Sequence, residues 1–161
     1  MILHPIRPVF DKHSKVLILG SFPSVRSREE GFFYGHPQNR FWKVTAKVFG
    51  EKTPASIEEK KAFLLRNHIA LWDVIGSCEI VGSSDSNIRN VTVNDISIIL
   101  KTADIQAVFL NGKKAYELYR KYMFPAVNRE GICLPSTSPA NAQWNVEKLT
   151  EQWLVISNYN H

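Results

Sequence analysis

Four short apolar runs, each closed by a turn-forming residue, do most to limit what this chain can fold into. Val16-Leu17-Ile18-Leu19 stops at Gly20, and Ile69-Ala70-Leu71-Trp72 stops at Asp73. Ala107-Val108-Phe109-Leu110 stops at Asn111-Gly112, and Ile132-Cys133-Leu134 stops at Pro135. Continuous apolar runs of this length read as strands buried on both faces. Helical patterns separate them. Phe41, Val44 and Val48 share one helical face, and Ser56 and Glu59 have capping-box spacing ahead of Ala62-Phe63-Leu64-Leu65. Thr92 and Asp95 are expected to open a helix carrying Ile96, Ile99 and Leu100. Ala115, Leu118, Tyr119 and Tyr122 mark another, and Val146, Leu149 and Trp153 a last one. Strands alternating with helices predict an α/β fold, a mostly parallel four-stranded sheet with helices on both faces. Ligands of such folds bind beyond the carboxyl ends of the strands. Residues 20–24, Asp73, Asn111-Gly112 and residues 135–141 are therefore expected to meet around one site.

Composition narrows the function classes. The chain has 161 residues, no internal repeat and no Pro/Gly/Ser-rich linker, which predicts one domain over residues 1–161. With 44% hydrophobic residues it can build a core. No run approaches the roughly 20 apolar residues of a membrane span, and residues 1–8 lack the apolar centre of a signal peptide. The expected location is cytoplasmic. Two cysteines, Cys78 and Cys133, exclude a disulfide scaffold and a four-cysteine metal site. A net charge of +5 favours a polyanionic partner.

Three segments could carry chemistry. Gly20-Ser21-Phe22-Pro23-Ser24 follows a strand and allows close backbone approach to a ligand, although it is neither a Walker loop nor Gly-x-Gly-x-x-Gly. Residues 31–42 read Gly-Phe-Phe-Tyr-Gly-His-Pro-Gln-Asn-Arg-Phe-Trp. Glycines beside three aromatics suit a platform for a planar ring, while Asn39 stands where an asparagine also caps a helix. Leu134-Pro135-Ser136-Thr137-Ser138-Pro139-Ala140-Asn141 is a stiff, hydroxyl-rich loop, either a rigid turn or a donor set for a phosphate or developing anion.

In this order and on these strand ends, the segments resemble the uracil-DNA glycosylase superfamily. His36-Pro37-x-Asn39-Arg40-Phe41-Trp42-Lys43 is similar to a run in the mismatch-specific uracil/thymine enzymes. Gly20-Ser21-Phe22-Pro23, Leu71-Trp72-Asp73-Val74, Gly82-Ser83-Ser84-Asp85-Ser86-x-Ile88-Arg89 and Ser136-Thr137-Ser138-Pro139-Ala140-Asn141 are similar to the hypoxanthine-DNA (deoxyinosine) glycosylase branch. The resemblance runs from about Val16 to Trp153. It implies a three-layer α/β/α sandwich and a monofunctional glycosylase that needs neither metal nor cofactor. Such an enzyme excises hypoxanthine, or within the superfamily uracil or xanthine, from DNA. Phe22 occupies the position where other branches carry a water-positioning Asn or Asp, and the hypoxanthine branch assigns that work to the residue matching Asn39. Ser24 stands where glycine is commoner, and Ala140 where mismatch-specific enzymes carry a wedging leucine.

The resemblance gives each residue an expected role. Asn39 is the catalytic amide, holding a water by accepting one of its hydrogens. Tyr34, Phe22, Ser21 and Asn141 are expected to bind the base. Ser136, Ser138, Arg40 and Lys113 are expected on phosphates, with Ser138 and Asn141 favoured over Ser136 and Thr137. Gly20, Pro23, His36 and Asp73 are expected to shape the pocket, while Phe32 and Phe33 belong to the core. The expected partner is DNA containing deaminated bases, with no membrane, and the chain is expected to act as a monomer in a nucleoid-associated cytoplasmic setting. Two other classes stay open on the sequence: a nucleic-acid-binding α/β module without catalysis, and a metal-dependent phosphoester hydrolase.

Overall fold

A computed structural model describes residues 2–80 and 88–159. Of the branch-like run at residues 82–89, residues 82–87 lie outside them. The four apolar runs form one parallel sheet: β2 (Val16–Gly20), β3 (Ile69–Asp73), β6 (Ala107–Asn111) and β7 (Gly131–Leu134), in the order β3-β2-β6-β7. Val16 lies beside both Ile69 and Ala107, so β2 is central, and β6 carries β7 on its other side. The strand order reverses at β2, which places the crevice of an open sheet beyond Gly20 and Asn111.

Alternate residues of the central strands feed two separate cores. Val16, Ile18, Ile69, Leu71 and Phe109 pack on one face with Phe41, Trp42, Phe63, Leu149 and Trp153. These belong to α2 (Phe41–Val48), α3 (Ile57–Arg66) and α7 (Val146–Trp153). Leu17, Leu19, Ala70, Val108 and Leu110 pack on the other face with Ile99, Ala115, Leu118, Tyr119 and Met123. That layer holds α4 (Ser97–Thr102) and α5 (Lys113–Leu118), which runs on through a π-helical turn, Tyr119–Met123, into α6 (Phe124–Val127). Helices on both faces give the three-layer α/β/α arrangement. The short α1 (Val25–Glu30) lies between β2 and the aromatic segment.

The structure corrects two local expectations and adds a sheet that the sequence reading did not foresee. Ile132 and Cys133 are exposed on the edge strand β7, whereas Val9 bridges to Leu71 along the other edge, β3, which is largely buried. Thr92 does not open a helix: it lies in β5 (Ile88–Val93), and the helix begins at Ser97, whose N–H donates to Asp95. A second sheet, antiparallel and in the order β1-β4-β5, joins β1 (Ile2–Leu3), β4 (Ile75–Ile80) and β5, and no apolar run announces it. Ser56 caps α3 as the sequence predicts, accepting from the Glu59 N–H, while Glu59 reaches back to the N–H of Ala55.

Two contacts pin the loop after β7. The Trp153 ring, fully buried in α7, donates from Nε1 to the Pro135 carbonyl at 3.0 Å. Gly112, at φ +99°, brings the turn after β6 against Ser136, where an added Cβ would lie 2.9 Å from the Ser136 Cβ. Trp153→Phe keeps an aromatic ring but orphans the Pro135 carbonyl. Urea unfolding should show a loss of about 1–3 kcal/mol.

Candidate active site

The carboxyl ends of β2, β3 and β6 open into a cavity of about 130 Å³. Its walls come from Gly20, Ser21, Phe22, Pro23 and Ser24 after β2, from Asp73 and Asn111 at the ends of β3 and β6, from Phe33, Tyr34 and Asn39, and from Ser136, Thr137 and Ser138. All four loops expected from the strand pattern therefore meet. A wider groove of about 550 Å³ adjoins it, sharing Ser21, Asn111, Ser136 and Ser138. Lys113, Lys114, Cys133, Ala140, Asn141 and Trp144 line that groove.

A chain of hydrogen bonds fixes the back of the cavity. The Asn111 side chain pairs with Thr137 twice, accepting its N–H and donating to Oγ1, both at 3.0 Å. Thr137 Oγ1 then donates to Asn39 Oδ1 at 2.9 Å. The same Oδ1 accepts the Phe41 N–H at 2.9 Å, at the start of α2. Because Phe41 N–H can only donate, the amide oxygen faces it and the orientation of the amide is settled. Asn39 is thus both a helix-start residue and part of the cavity wall. The expected mode, accepting a proton of water, meets an oxygen that already accepts two hydrogen bonds. The amino group Nδ2 is the part left to meet a ligand.

The aromatic segment supplies a supported wall. Tyr34 stacks on Phe41 with centroids 4.2 Å apart and planes 20° from parallel, and Phe41 is itself fully buried. Tyr34 adopts φ +53°, a costly region for a non-glycine residue, of the kind that collects at functional sites. Its hydroxyl is shut away from solvent, with the Asn111 side chain and the Asp73 carboxylate as its polar neighbours. Burial first, and then the Asp73 charge, hold the phenol far above its ordinary pKa, so it remains an O–H group. Gly20 sits against Asp73, where a Cβ would lie 2.4 Å from Oδ1. Phe32 and Phe33 are core residues, as expected.

Other expected site residues lie elsewhere. Arg40 does not reach outward to phosphate. Its guanidinium donates to the carbonyls of Thr137, Ser138, Asn141 and Trp144, and its own N–H adds a second bond to Thr137. His36 is exposed, and its Nδ1 accepts the Gln38 N–H in a local turn outside the cavity wall. Asn141 lies in the groove rather than the cavity, with Nδ2 committed to the Ser136 carbonyl. Sequence reasoning undervalued Thr137, which is fully buried. It missed His4, whose ring sits 2.8 Å from Asp73 although 69 positions separate them. No local pattern marks His4. Among the described residues, no three His, Cys, Asp or Glu side chains cluster as a metal site requires. Arg40→Lys keeps the charge but loses the fork that grips four carbonyls. Hydrogen exchange should quicken about tenfold or more at the amides of Ser138 and residues 140–144, with the sheet amides unchanged.

Comparison with known proteins agrees with this geometry. The family model of the uracil DNA glycosylase superfamily matches residues 7–158. A protein of Methanosarcina acetivorans named hypoxanthine DNA glycosylase is 33% identical over 158 residues, covering 97% of this chain and 98% of its own. One of the same name from Methanosarcina barkeri is 35% identical, over 83% of this chain and 85% of its own. The solution NMR structure of a uracil DNA glycosylase candidate from M. acetivorans superposes with a TM-score of 0.84 at 32% identity, with all of both chains covered. With sequence, fold and cavity in agreement, the chain belongs to the uracil DNA glycosylase superfamily.

Proposed function

We propose that this chain is a monofunctional DNA glycosylase that hydrolyses the N-glycosidic bond of hypoxanthine in DNA, within base excision repair of deaminated bases. Its two Methanosarcina relatives carry that name over most of its length. The observation that carries the reading to the level of residues is the cavity. It is sized for one flat base, walled by Tyr34 and Asn39, and opens beside a lysine-bearing groove.

The chemistry follows from the donors present. DNA lies along the groove, where Lys113 and Lys114 neutralise phosphate charge. Ser136 Oγ accepts the Ser138 N–H, and Ser138 Oγ accepts the Ala140 N–H. Each hydroxyl keeps its own proton to donate to a phosphate oxygen. A damaged nucleotide leaves the stack more easily because its pairing is weak. Its base enters the cavity against Tyr34, between Phe22, Ser21 and Pro23. The glycosidic bond breaks ahead of water attack, through an oxocarbenium-like sugar. A cation of that kind needs a placed water rather than a strongly basic one. Asn39 Nδ2 donates to the water oxygen and leaves its other lone pair for C1′; the base departs with the electron pair of the broken bond, and the proton that the water loses on bonding to C1′ completes the free base. Among the described residues no lysine lines the cavity, so Schiff-base strand cleavage has no nucleophile there. The same reading takes the chain as one glycosylase domain, acting as a monomer in the cytoplasm on nucleoid DNA.

Labelled duplexes carrying one hypoxanthine, uracil or xanthine test the proposal, with EDTA present and abasic sites cleaved by hot alkali. Scission at hypoxanthine is expected, falling about a hundredfold or more in Asn39→Ala. Scission at uracil alone moves the substrate within the superfamily. Binding without scission at any lesion overturns the enzyme reading.

A further inference from the structure

The reaction described above leaves the pair behind the cavity wall unexplained. His4 Nε2 lies 2.8 Å from Asp73 Oδ2, with the two side chains 2% and 5% exposed. The other ring nitrogen, Nδ1, accepts the Ile6 N–H at 3.2 Å. A nitrogen that accepts a backbone N–H carries no proton, so the neutral ring bears its proton on Nε2 and donates it to Asp73. The ring is boxed in by Phe22 and Trp72, edge-on at 5.8 and 6.3 Å, and by Phe33 at 6.2 Å. Trp72 Nε1 donates to the Ile6 carbonyl at 3.1 Å, and Val9 bridges to Leu71. The N-terminal arm is therefore laced to β3, and its histidine is held in place.

The front of Asp73 is different. No described donor is bonded to Oδ1, which meets the cavity beside Gly20. Asp73 is otherwise 4% exposed. A buried acceptor left open to a small cavity calls for a ligand that supplies a donor. A lactam edge does so: hypoxanthine presents N1–H as a donor. Adenine lacks it and turns a bare N1 lone pair toward the carboxylate.

We propose that His4 is a positioning residue for base selection: by donating to Oδ2 it fixes the Asp73 carboxylate with Oδ1 toward the cavity, ready to accept the lactam N–H of an extruded base. The inference rests on the glycosylase reading and assigns the N-terminal arm a part in the active site. Without the His4 donor, Oδ2 is orphaned in an apolar box and the carboxyl group turns to find another partner. The acceptor that faces a lactam base is then lost.

Three variants separate this role from simple packing. His4→Phe keeps the ring volume without a donor. His4→Gln restores an N–H at similar reach. His4→Phe combined with Asp73→Asn asks whether the histidine acts through the carboxylate. Single-turnover excision from a hypoxanthine duplex is measured with thermal melting and undamaged-duplex affinity as controls. His4→Phe should lose about tenfold or more in kcat/KM with duplex affinity unchanged, and His4→Gln should recover most of it. In the Asp73→Asn background His4→Phe should cost nothing further. Losses that multiply, or no recovery in a folded His4→Gln, overturn the proposal. Should His4→Phe fail to fold, His4→Asn, too short to reach Oδ2, takes its place against His4→Gln. Binding of free hypoxanthine and adenine by ligand-observed NMR is scored independently of catalysis. Hypoxanthine should bind the wild type in preference to adenine and lose that preference in His4→Phe. If no duplex is cleaved, the glycosylase reading fails, while an unchanged preference or no binding to the wild type overturns the role of His4.

Discussion

The cavity depends on the hydrogen bonds that run from Asn111 through Thr137 to Asn39 and the first turn of α2. Three parts of the chain that fold from separate signals meet there: the end of β6, the loop after β7 and the start of a helix. Thr137 is fully buried, so each bond is made in a low-dielectric setting where an unmade one costs about 1–3 kcal/mol. The network admits one arrangement, because Phe41 N–H and Thr137 N–H are fixed donors. They dictate which way both asparagine amides face, and hence which group Asn39 offers to the cavity.

Arg40 extends the same constraint along the loop. Next in sequence to Asn39, it spends its guanidinium on the carbonyls of residues 137, 138, 141 and 144. A loop with prolines at 135 and 139 has few backbone donors of its own, and its carbonyls need partners. One arginine satisfies four of them and holds Ser136 and Ser138 between cavity and groove. The motif His-Pro-x-Asn-Arg thus reads physically as a helix start whose two polar side chains fasten a distant loop.

These relations explain how far the sequence could be read. The parallel sheet was legible because strands buried on both faces leave continuous apolar runs, and turn residues mark their ends. The antiparallel sheet was not. Ile75-Gly76-Ser77-Cys78-Glu79 carries no run or clean alternation, and its partner Ile2 is remote in sequence. Thr92 and Asp95 mimic a helix start locally, but pairing of β5 with β4 is a non-local fact that overrides it. At the site, strand-end residues such as Gly20, Ser21, Phe22 and Asp73 were legible from topology, and Tyr34 and Asn39 from the family-like run. Arg40 was misplaced because a basic residue in a DNA-binding pattern looks like a phosphate ligand until its carbonyl partners are seen. His4 left no trace because its partner is an aspartate brought near only by the sheet.

The distribution of charge follows from the same architecture. Lys113 and Lys114 line the groove, and among the described residues no lysine or arginine lines the cavity. A cation inside would raise the barrier to a positively charged sugar, whereas cations in the groove grip phosphate at longer range in better-screened surroundings. Among the described residues the cavity wall otherwise carries neutral polar groups and the Asp73 carboxylate. Tyr34 stays an O–H group because burial and Asp73 both disfavour its phenolate. A leaving base that gathers negative charge then meets oriented dipoles fixed before it arrives, and such preorganisation is most effective where water is excluded. The carboxylate would oppose that charge if it turned freely toward the departing nitrogen. Tying one oxygen of Asp73 to the N-terminal arm restricts it to one edge of the cavity, and so the rigidity of the wall is itself part of the electrostatics.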